Sequence, residues 1–202
     1  MTTIVAIQGP NWAVVGSDSR VSDDGRIYTM PKGYGKVAKN EDYLLGAAGD
    51  MRAINILEHA FTPPNADGYS GKDLDAFITT DFIPALRKCF EDQGYADNPA
   101  TKSDSETKDA ASQGSMILVV VNGTIYEIGE DYSWVKDATG VYGFGSGGDY
   151  AAGAALAKLP KAKTKLTIEV AQDIVKEALT VAAKLDTNSG APFNVLVQER
   201  DE

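Results

Sequence analysis

The stretch Met1-Thr2-Thr3-Ile4-Val5-Ala6 decides the fold, because it places a threonine directly behind Met1 at the head of a β-branched run. Removal of Met1 would leave Thr2 with a hydroxyl and a free α-amine on one residue. The ordinary pKa of an α-amine is roughly 7.7–8.0, so a neutral amine can accept the hydroxyl proton near pH 7. We expect Met1 to be removed, because methionine aminopeptidases accept a small second residue. The plainer interpretation is the start of an edge strand, which β-branched residues also favour.

The composition predicts one globular domain spanning residues 1–202. The chain has 202 residues and 43% hydrophobic content, which is enough for a single well-formed core. It carries 29 acidic and 19 basic residues, a net charge of -10, which argues against nucleic acid or an anionic membrane as a partner. No apolar run approaches the roughly 18 residues of a membrane-spanning helix, and no signal peptide is recognisable.

Cysteine and histidine are too few for a disulfide or a transition-metal site. Cys89 is the only cysteine, so no internal disulfide can form, which predicts a reducing, cytoplasmic location. His59 is the only histidine, and no second histidine can join it as a metal ligand. The sequence therefore predicts neither a metal centre nor a required cofactor.

Alternating hydrophobic residues and turn signals predict a chain rich in antiparallel strands. Asn122-Gly123 between two apolar runs favours a type I′ hairpin turn. The predicted strands are Thr2–Gln8, Trp12–Ser17, Lys36–Lys39, Tyr43–Ala48, Met116–Val121, Thr124–Ile128, Val141–Phe144 and Phe193–Gln198.

Helical spacing of apolar residues predicts four helices, in two pairs. The first pair is Met51–Phe61, capped by Asp50, and Leu74–Phe90, which Pro84 should kink or split. The second pair is Tyr150–Leu159 and a long helix from the Thr167 cap to Leu185. The charged segment Glu91–Gly114 lacks periodicity, so we expect a mobile surface loop.

The order of these elements predicts an α+β fold with two helix layers around antiparallel sheets. Helices segregated from hairpin-linked strands are typical of this class. The glycine run Gly145–Asp149 precedes a helix, as a phosphate-binding loop would, but no lysine follows in the required place. We therefore reject nucleotide binding at this run.

Six motifs in a fixed order give the chain a family resemblance. They are Thr2-Thr3-Ile4-Val5, Gly16-Ser17-Asp18-Ser19-Arg20, Lys36-Val37, Leu45-Gly46-Ala47-Ala48-Gly49-Asp50, Gly145-Ser146-Gly147-Gly148-Asp149-Tyr150-Ala151 and Asp186-Thr187-Asn188-Ser189-Gly190. With them the chain resembles the proteasome β-subunits and the bacterial HslV peptidase. These are N-terminal nucleophile hydrolases with a four-layer αββα sandwich. The segment Glu91–Gly114 and a shortened turn after Lys39 depart from the family pattern.

The resemblance implies a role for each residue of a catalytic set. Thr2 would attack a peptide carbonyl with its own amine as base, beside the Lys36 ammonium, which Asp18 would hold in place. The Gly46 N–H would donate to the oxyanion. Ser146, Asp186 and Ser189 would orient the amine and the lysine, although turn and helix-cap duties also explain them.

The resemblance also implies a substrate pocket and partners. Val21, Tyr34, Leu44 and Ala48 would line an apolar pocket, which favours cleavage after hydrophobic residues. Substrates would be unfolded polypeptides or peptides, held inside a homo-oligomeric ring that a separate ATPase chain feeds. The family further implies a structural cation near the loop of Asp186 and Ser189.

Three functions remain open on the sequence alone. The first is a threonine-type endopeptidase, and the complete catalytic set favours it. The second is a catalytically silent scaffold of the same fold, which retention of Met1 would favour, because the Thr2 amine would then be an amide without basicity. The third is an N-terminal nucleophile amidase acting on a small molecule.

Overall fold

The computed structural model describes residues 2–23, 25–95, 113–162 and 165–200, and eleven strands fall within them. The strands are β1 (Ile4–Gln8), β2 (Trp12–Asp18), β3 (Arg20–Asp23), β4 (Arg26–Thr29), β5 (Val37–Asn40), β6 (Tyr43–Ala48), β7 (Met116–Val121), β8 (Thr124–Ile128), β9 (Trp134–Val135), β10 (Val141–Phe144) and β11 (Phe193–Glu199). They form two large antiparallel sheets and one ribbon. The sheet orders are β10-β1-β2-β11 and β5-β6-β7-β8-β9, while β3 pairs only with β4.

Five α-helices are described: α1 (Met51–His59), α2 (Gly71–Phe77), α3 (Ile83–Asp92), α4 (Gly148–Lys158) and α5 (Ile168–Leu185). Two begin at the predicted caps, since the Asp50 carboxylate accepts the Arg52 N–H and the Thr167 hydroxyl accepts the Val170 N–H. A π-helical turn, Ile78–Phe82, joins α2 to α3 immediately before Pro84. The predicted second helix is therefore split, as Pro84 suggested.

Three hydrophobic clusters hold these elements together. In the first, α1–α3 pack on the five-stranded sheet, with Phe82 and Phe90 fully buried. In the second, α4 and α5 pack on the four-stranded sheet through small residues such as Ala151 and Ala178. The third lies between the two sheets, where Ile4 of β1 and Leu118 of β7 are buried. Because alternate residues of a strand face opposite ways, β1 and β6 each supply side chains to two of the clusters.

The hairpin prediction at Asn122-Gly123 is confirmed, with φ of 49° and 70° at the two residues, as a type I′ turn requires. The ribbon β3–β4 and the short strand β9 were not among the predicted strands. Of the predicted loop Glu91–Gly114, residues 96–112 lie outside the described residues, and Glu91 and Asp92 end α3. No helix in the described part of the chain is both long and apolar enough to cross a membrane.

Candidate active site

Thr2 and Thr3 lie just before β1 and are 3% and 0% exposed. The Asp18 N–H donates to the Thr3 carbonyl at 3.0 Å, so the pairing of β1 with β2 continues to this residue. The Gly147 N–H donates to the Thr2 carbonyl at 3.4 Å. Gly145 adopts a φ of 80°, and a Cβ there would lie 2.1 Å from the Thr2 carbonyl oxygen. This glycine turn therefore fixes the backbone of the candidate nucleophile.

The Asp18 carboxylate accepts four hydrogen bonds that connect the parts of the site. Its Oδ1 accepts the Lys36 ammonium at 2.6 Å and the Thr3 N–H at 2.9 Å. Its Oδ2 accepts the N–H groups of Arg20 at 3.0 Å and Gly190 at 3.1 Å. Both side chains of the Asp18–Lys36 ion pair are 0% exposed. The predicted pair is confirmed, and the shared Oδ1 ties Lys36 to the residue that follows Thr2.

The Lys36 side chain is fully buried, so its ammonium group is shielded from solvent. Burial, the largest effect, lowers the pKa of Lys36 below its ordinary value, and the neighbouring Asp18 carboxylate opposes that shift. The Asp186 carboxylate also raises this pKa, whereas the Arg20 guanidinium lowers it. The Lys36 N–H donates to the Ser17 hydroxyl at 3.3 Å, so the backbone is fixed as well. A charge held in such a site acts strongly on neighbouring groups.

Ser146, Asp186 and Ser189 meet in one hydrogen-bonded cluster, while their predicted role in orienting the amine and the lysine stays a prediction. Asp186 Oδ2 accepts the Ser146 hydroxyl at 2.7 Å and the Ser189 hydroxyl at 2.5 Å. The Ser189 oxygen is also 2.5 Å from Thr3 Oγ1, which joins the cluster to the head of β1. Burial by itself raises the pKa of Asp186, but hydrogen bonds from Ser189, Ser146 and Asn188 outweigh it and lower the pKa overall. Asp186 is therefore held as a carboxylate.

The oxyanion role of the Gly46 N–H stays a prediction. The Ala47 N–H donates to the Lys36 carbonyl at 3.2 Å, so alternation along β6 directs the Gly46 N–H to Leu118 of β7. Packing explains the glycine, because a Cβ at Gly46 would lie 3.0 Å from Val37 Cγ2 and 3.3 Å from Ile4 Cδ1.

The same alternation gives Gly49 an N–H on the Lys36 side of β6. The carbonyl of Ala48, in β6, faces β7, and the N–H of the next residue points the opposite way across the planar peptide. Within the described ranges, the Gly49 N–H makes no hydrogen bond. Gly49 has a φ of 144°, and a Cβ there would lie 2.5 Å from the Ser115 hydroxyl oxygen.

The predicted substrate pocket stays a prediction, and its four residues differ in exposure. Ala48 is buried at the end of β6 beside the site, Val21 of β3 is half-buried, and Tyr34 is 56% exposed. Leu44 lies four residues before Ala48, about 13 Å along the strand. It is buried between the sheets and borders a separate cavity of about 490 Å³ with Lys39, Asn122 and Val197. Leu44 and Ala48 belong to the same buried cluster between the sheets, and the place of Leu44 in the substrate pocket stays a prediction.

Two contributors were missed by sequence reasoning. Thr3 binds both Asp18 and Ser189, and its place next to Thr2 was the available signal. Arg20 donates from its guanidinium to the Thr187 carbonyl at 2.9 Å, and a Cβ at Gly190 would lie 2.6 Å from Arg20 Nε. Arg20 therefore holds the loop before β11 against Asp18.

A cation at this loop stays a prediction. Across the described ranges, no group of three or more histidine, cysteine, aspartate or glutamate side chains could hold a metal ion. The Asp186 carbonyl accepts the Ser189 N–H at 3.2 Å, so one candidate oxygen ligand already has a partner.

Solved structures with the same fold include two kinds of protein. BPH from Thiobacillus denitrificans is 18% identical, with a TM-score of 0.72 and 99% of each chain covered. The same protein in complex with epoxomicin is 18% identical, with a TM-score of 0.66 and full coverage of both chains. Eukaryotic HslV from Trypanosoma brucei is 20% identical, with a TM-score of 0.63 and coverage of 98% of this chain and 100% of HslV. No protein-family model matches the sequence. The predicted resemblance to the HslV type is confirmed at the level of fold.

Proposed function

We propose that this chain is a threonine-type endopeptidase whose nucleophile is Thr2, freed by removal of Met1. One observation carries the proposal: Asp18 Oδ1 accepts both the buried Lys36 ammonium and the Thr3 N–H, so a desolvated positive charge lies beside the Thr2 backbone. The surrounding packing supports a four-layer αββα sandwich, with the site at one end of the space between the two sheets.

The first chemical step joins the Thr2 hydroxyl to the substrate. Thr2 Oγ1 attacks the peptide carbonyl carbon while the neutral Thr2 amine takes the hydroxyl proton. The positive charge of Lys36 disfavours protonation of that amine and stabilises the developing alkoxide. The Ser146–Asp186–Ser189 cluster, bonded to Thr3, keeps the amine oriented.

The tetrahedral intermediate carries a negatively charged oxygen, which a backbone N–H donor must stabilise. In our proposal a backbone N–H of the Gly46–Gly49 segment, at the end of β6, supplies that donor, and Gly46 is the residue that the family resemblance implies. Collapse of the intermediate passes the amine's proton to the leaving nitrogen and leaves an ester on Thr2. Water, deprotonated by the same amine, then hydrolyses the ester and restores the hydroxyl.

The substrates in this proposal are peptides and unfolded polypeptides, cleaved after hydrophobic residues. Val21 and Ala48 each contribute an apolar side chain to the pocket in this proposal. We further infer a homo-oligomeric ring in the cytoplasm, fed by a separate ATPase chain, on the strength of the fold shared with HslV.

Intact-mass spectrometry of the purified protein with epoxomicin tests the proposal. T. denitrificans BPH holds this compound in a solved structure, which makes it the first probe to use. We expect the mass of the chain without Met1, an epoxomicin adduct on Thr2, and hydrolysis of fluorogenic peptides. Thr2→Ala should give neither adduct nor hydrolysis while keeping the wild-type circular dichroism spectrum.

Two results would overturn the proposed peptidase function. A uniform mass that includes Met1, with no adduct and no hydrolysis, would favour the silent scaffold. Turnover of small amides without any peptide cleavage would favour the amidase alternative.

A further inference from the structure

The last strand, β11, carries two side-chain amides that reach across to the other sheet. They belong to Asn194 and Gln198, which lie two positions before and two positions after Leu196. Leu196 packs against the cluster between the two sheets. Because alternate residues of a strand share a face, all three side chains face the five-stranded sheet. The proposed reaction uses none of them.

Asn194 holds the backbone just before Lys36. Its Nδ2 donates to the Tyr34 carbonyl oxygen, and the Tyr34 N–H donates to the Pro31 carbonyl at 3.0 Å. Both backbone polar groups of Tyr34 are therefore engaged, although its ring is largely exposed. The peptide that leads toward Lys36 is thus fixed to the last strand.

Ser17 holds the same segment at its other end. The register of β11 on β2 places Asn194 directly opposite Ser17. The buried Ser17 hydroxyl accepts the Lys36 N–H at 3.3 Å. Two neighbouring side chains of the four-stranded sheet therefore bind residues 34–36 at both ends, immediately before β5 begins in the other sheet.

Gly35 lies directly against this pair of side chains. A Cβ at Gly35 would lie 2.5 Å from Asn194 Nδ2 and 2.9 Å from Ser17 Oγ. A residue with a side chain would therefore push the segment away from both hydrogen-bonding partners. The missing side chain at this position allows the close approach that the two hydrogen bonds require.

The place of the Lys36 ammonium depends on this backbone. Lys36 Nζ is 2.6 Å from Asp18 Oδ1, and Asp186 and Arg20 are the other charged groups that act on it. A lysine side chain reaches a fixed point beside Thr2 only when its own backbone is held at the right distance. Displacement of a group in an active site by about 1 Å can lower the rate about 100-fold.

We propose that Asn194 is a positioning residue that keeps the Lys36 ammonium at the Thr2 site by fixing the Tyr34–Gly35 backbone. The inference rests on the proposed peptidase function and adds to it a residue of the last strand, outside the predicted catalytic set. The described side-chain hydrogen bond of Asn194 is to Tyr34, so its influence on Lys36 passes through residues 34–36.

The test compares Asn194→Leu with Gln198→Met, two losses of a side-chain amide from the same face of β11. Gln198 Nε2 donates to the Asp42 carbonyl at 3.0 Å, and its Oε1 accepts the Gly123 N–H at 2.7 Å, both in turns at the far end of the strand. With a fluorogenic peptide we expect Asn194→Leu to lower kcat about 10- to 100-fold. Gln198→Met should keep kcat near wild type even where it lowers Tm equally.

The pH profile of kcat/KM reports the charge near Thr2 rather than general stability. The Lys36 ammonium disfavours protonation of the Thr2 amine, so moving the ammonium away raises the pKa of that amine. In Asn194→Leu the activity edge should therefore move to higher pH, toward the ordinary amine value of roughly 7.7–8.0. Gln198→Met should keep the wild-type edge.

Amide hydrogen exchange tests the same contact without turnover. Release of residues 34–36 in Asn194→Leu should quicken exchange of the Lys36 amide by about tenfold or more, with little change at Leu118 in β7. Gly35→Ala keeps Asn194 but separates it from the Tyr34 backbone. It should lower kcat, move the edge and quicken Lys36 exchange in the same way, and it serves if Asn194→Leu does not fold.

The outcomes separate the two proposals. A wild-type protein that neither hydrolyses peptide nor forms an adduct overturns the proposed function and this inference with it. An active wild type, together with Asn194→Leu or Gly35→Ala that keeps the wild-type kcat and Lys36 exchange, overturns the inference alone. So does a lowered kcat with an unmoved pH edge, because the Lys36 charge would then have stayed in place. Equal losses of kcat in Asn194→Leu and Gln198→Met would also overturn it, because they would reflect general destabilisation.

Discussion

Replacing Lys36 by methionine should destabilise the folded chain well beyond the effect of losing a surface lysine. The ion pair with Asp18 is fully buried, and loss of one partner of such a pair costs about 3–5 kcal/mol. Asp18 would still accept three backbone N–H groups, from Thr3, Arg20 and Gly190, so we expect the lower end of that range. About 3 kcal/mol lowers the Tm of a domain of this size by about 6–12 °C.

Thermal unfolding followed by circular dichroism, at one protein concentration, measures this effect. The control is Lys88→Met, because Lys88 forms a 2.8 Å ion pair with Asp92 on the exposed face of α3. Its removal should leave Tm nearly unchanged. The double variant Asp18→Asn with Lys36→Met removes both charges and should recover part of the lost Tm. If Lys36→Met melts with the Lys88→Met control, the buried pair does not hold the site together.

Three further outcomes follow from the site geometry. Gly147→Ala should cost about 1–3 kcal/mol, since its Cβ would lie 1.9 Å from Thr3 Oγ1, whereas Gly153→Ala, with open space around it, should not destabilise; urea denaturation compares them. Asp186→Asn should lower the free energy of unfolding at neutral pH. Because the folded-state pKa of Asp186 is lowered, the wild type loses this stabilisation as pH falls below the unfolded value of about 3.9. The difference in free energy of unfolding between wild type and Asp186→Asn should therefore shrink, and urea midpoints from pH 7 to pH 3 check this. Peptidase activity should rise with pH through the Thr2 amine, with an edge below roughly 7.7–8.0 because the Lys36 charge disfavours the protonated amine; a pH–rate profile with its edge above that range would contradict the role of Lys36.

Much of the fold was predictable because local and global signals agree. Strands β6, β7, β8 and β10 were predicted with the bounds that the structure has, since each is a buried apolar run beside a strong turn signal. The ribbon β3–β4 was missed because all four residues of β4 are exposed, which leaves no alternation between buried and exposed positions. The split of the second helix was predicted from Pro84, but its π-helical form was not.

The candidate site, like the fold, could be predicted only in part from the sequence. Residues whose identity is required by chemistry, such as Asp18 and Lys36, could be predicted from motif order, and the structure pairs them. The direction of a backbone N–H cannot be predicted that way, because it depends on strand register, so the oxyanion role of Gly46 stays a prediction.

The four groups that meet at Asp18 have a consequence for the order of events during synthesis. They come from residue 3, residue 20, residue 36 and residue 190, so the last donor lies within the final strand connection. A nascent chain that has not yet released Gly190 lacks both that donor and the Ser189 hydroxyl that binds Thr3. The ribosome must therefore deliver the chain through Gly190 before the centre can form. A truncated product, however well its early hairpins fold, carries no assembled nucleophile site.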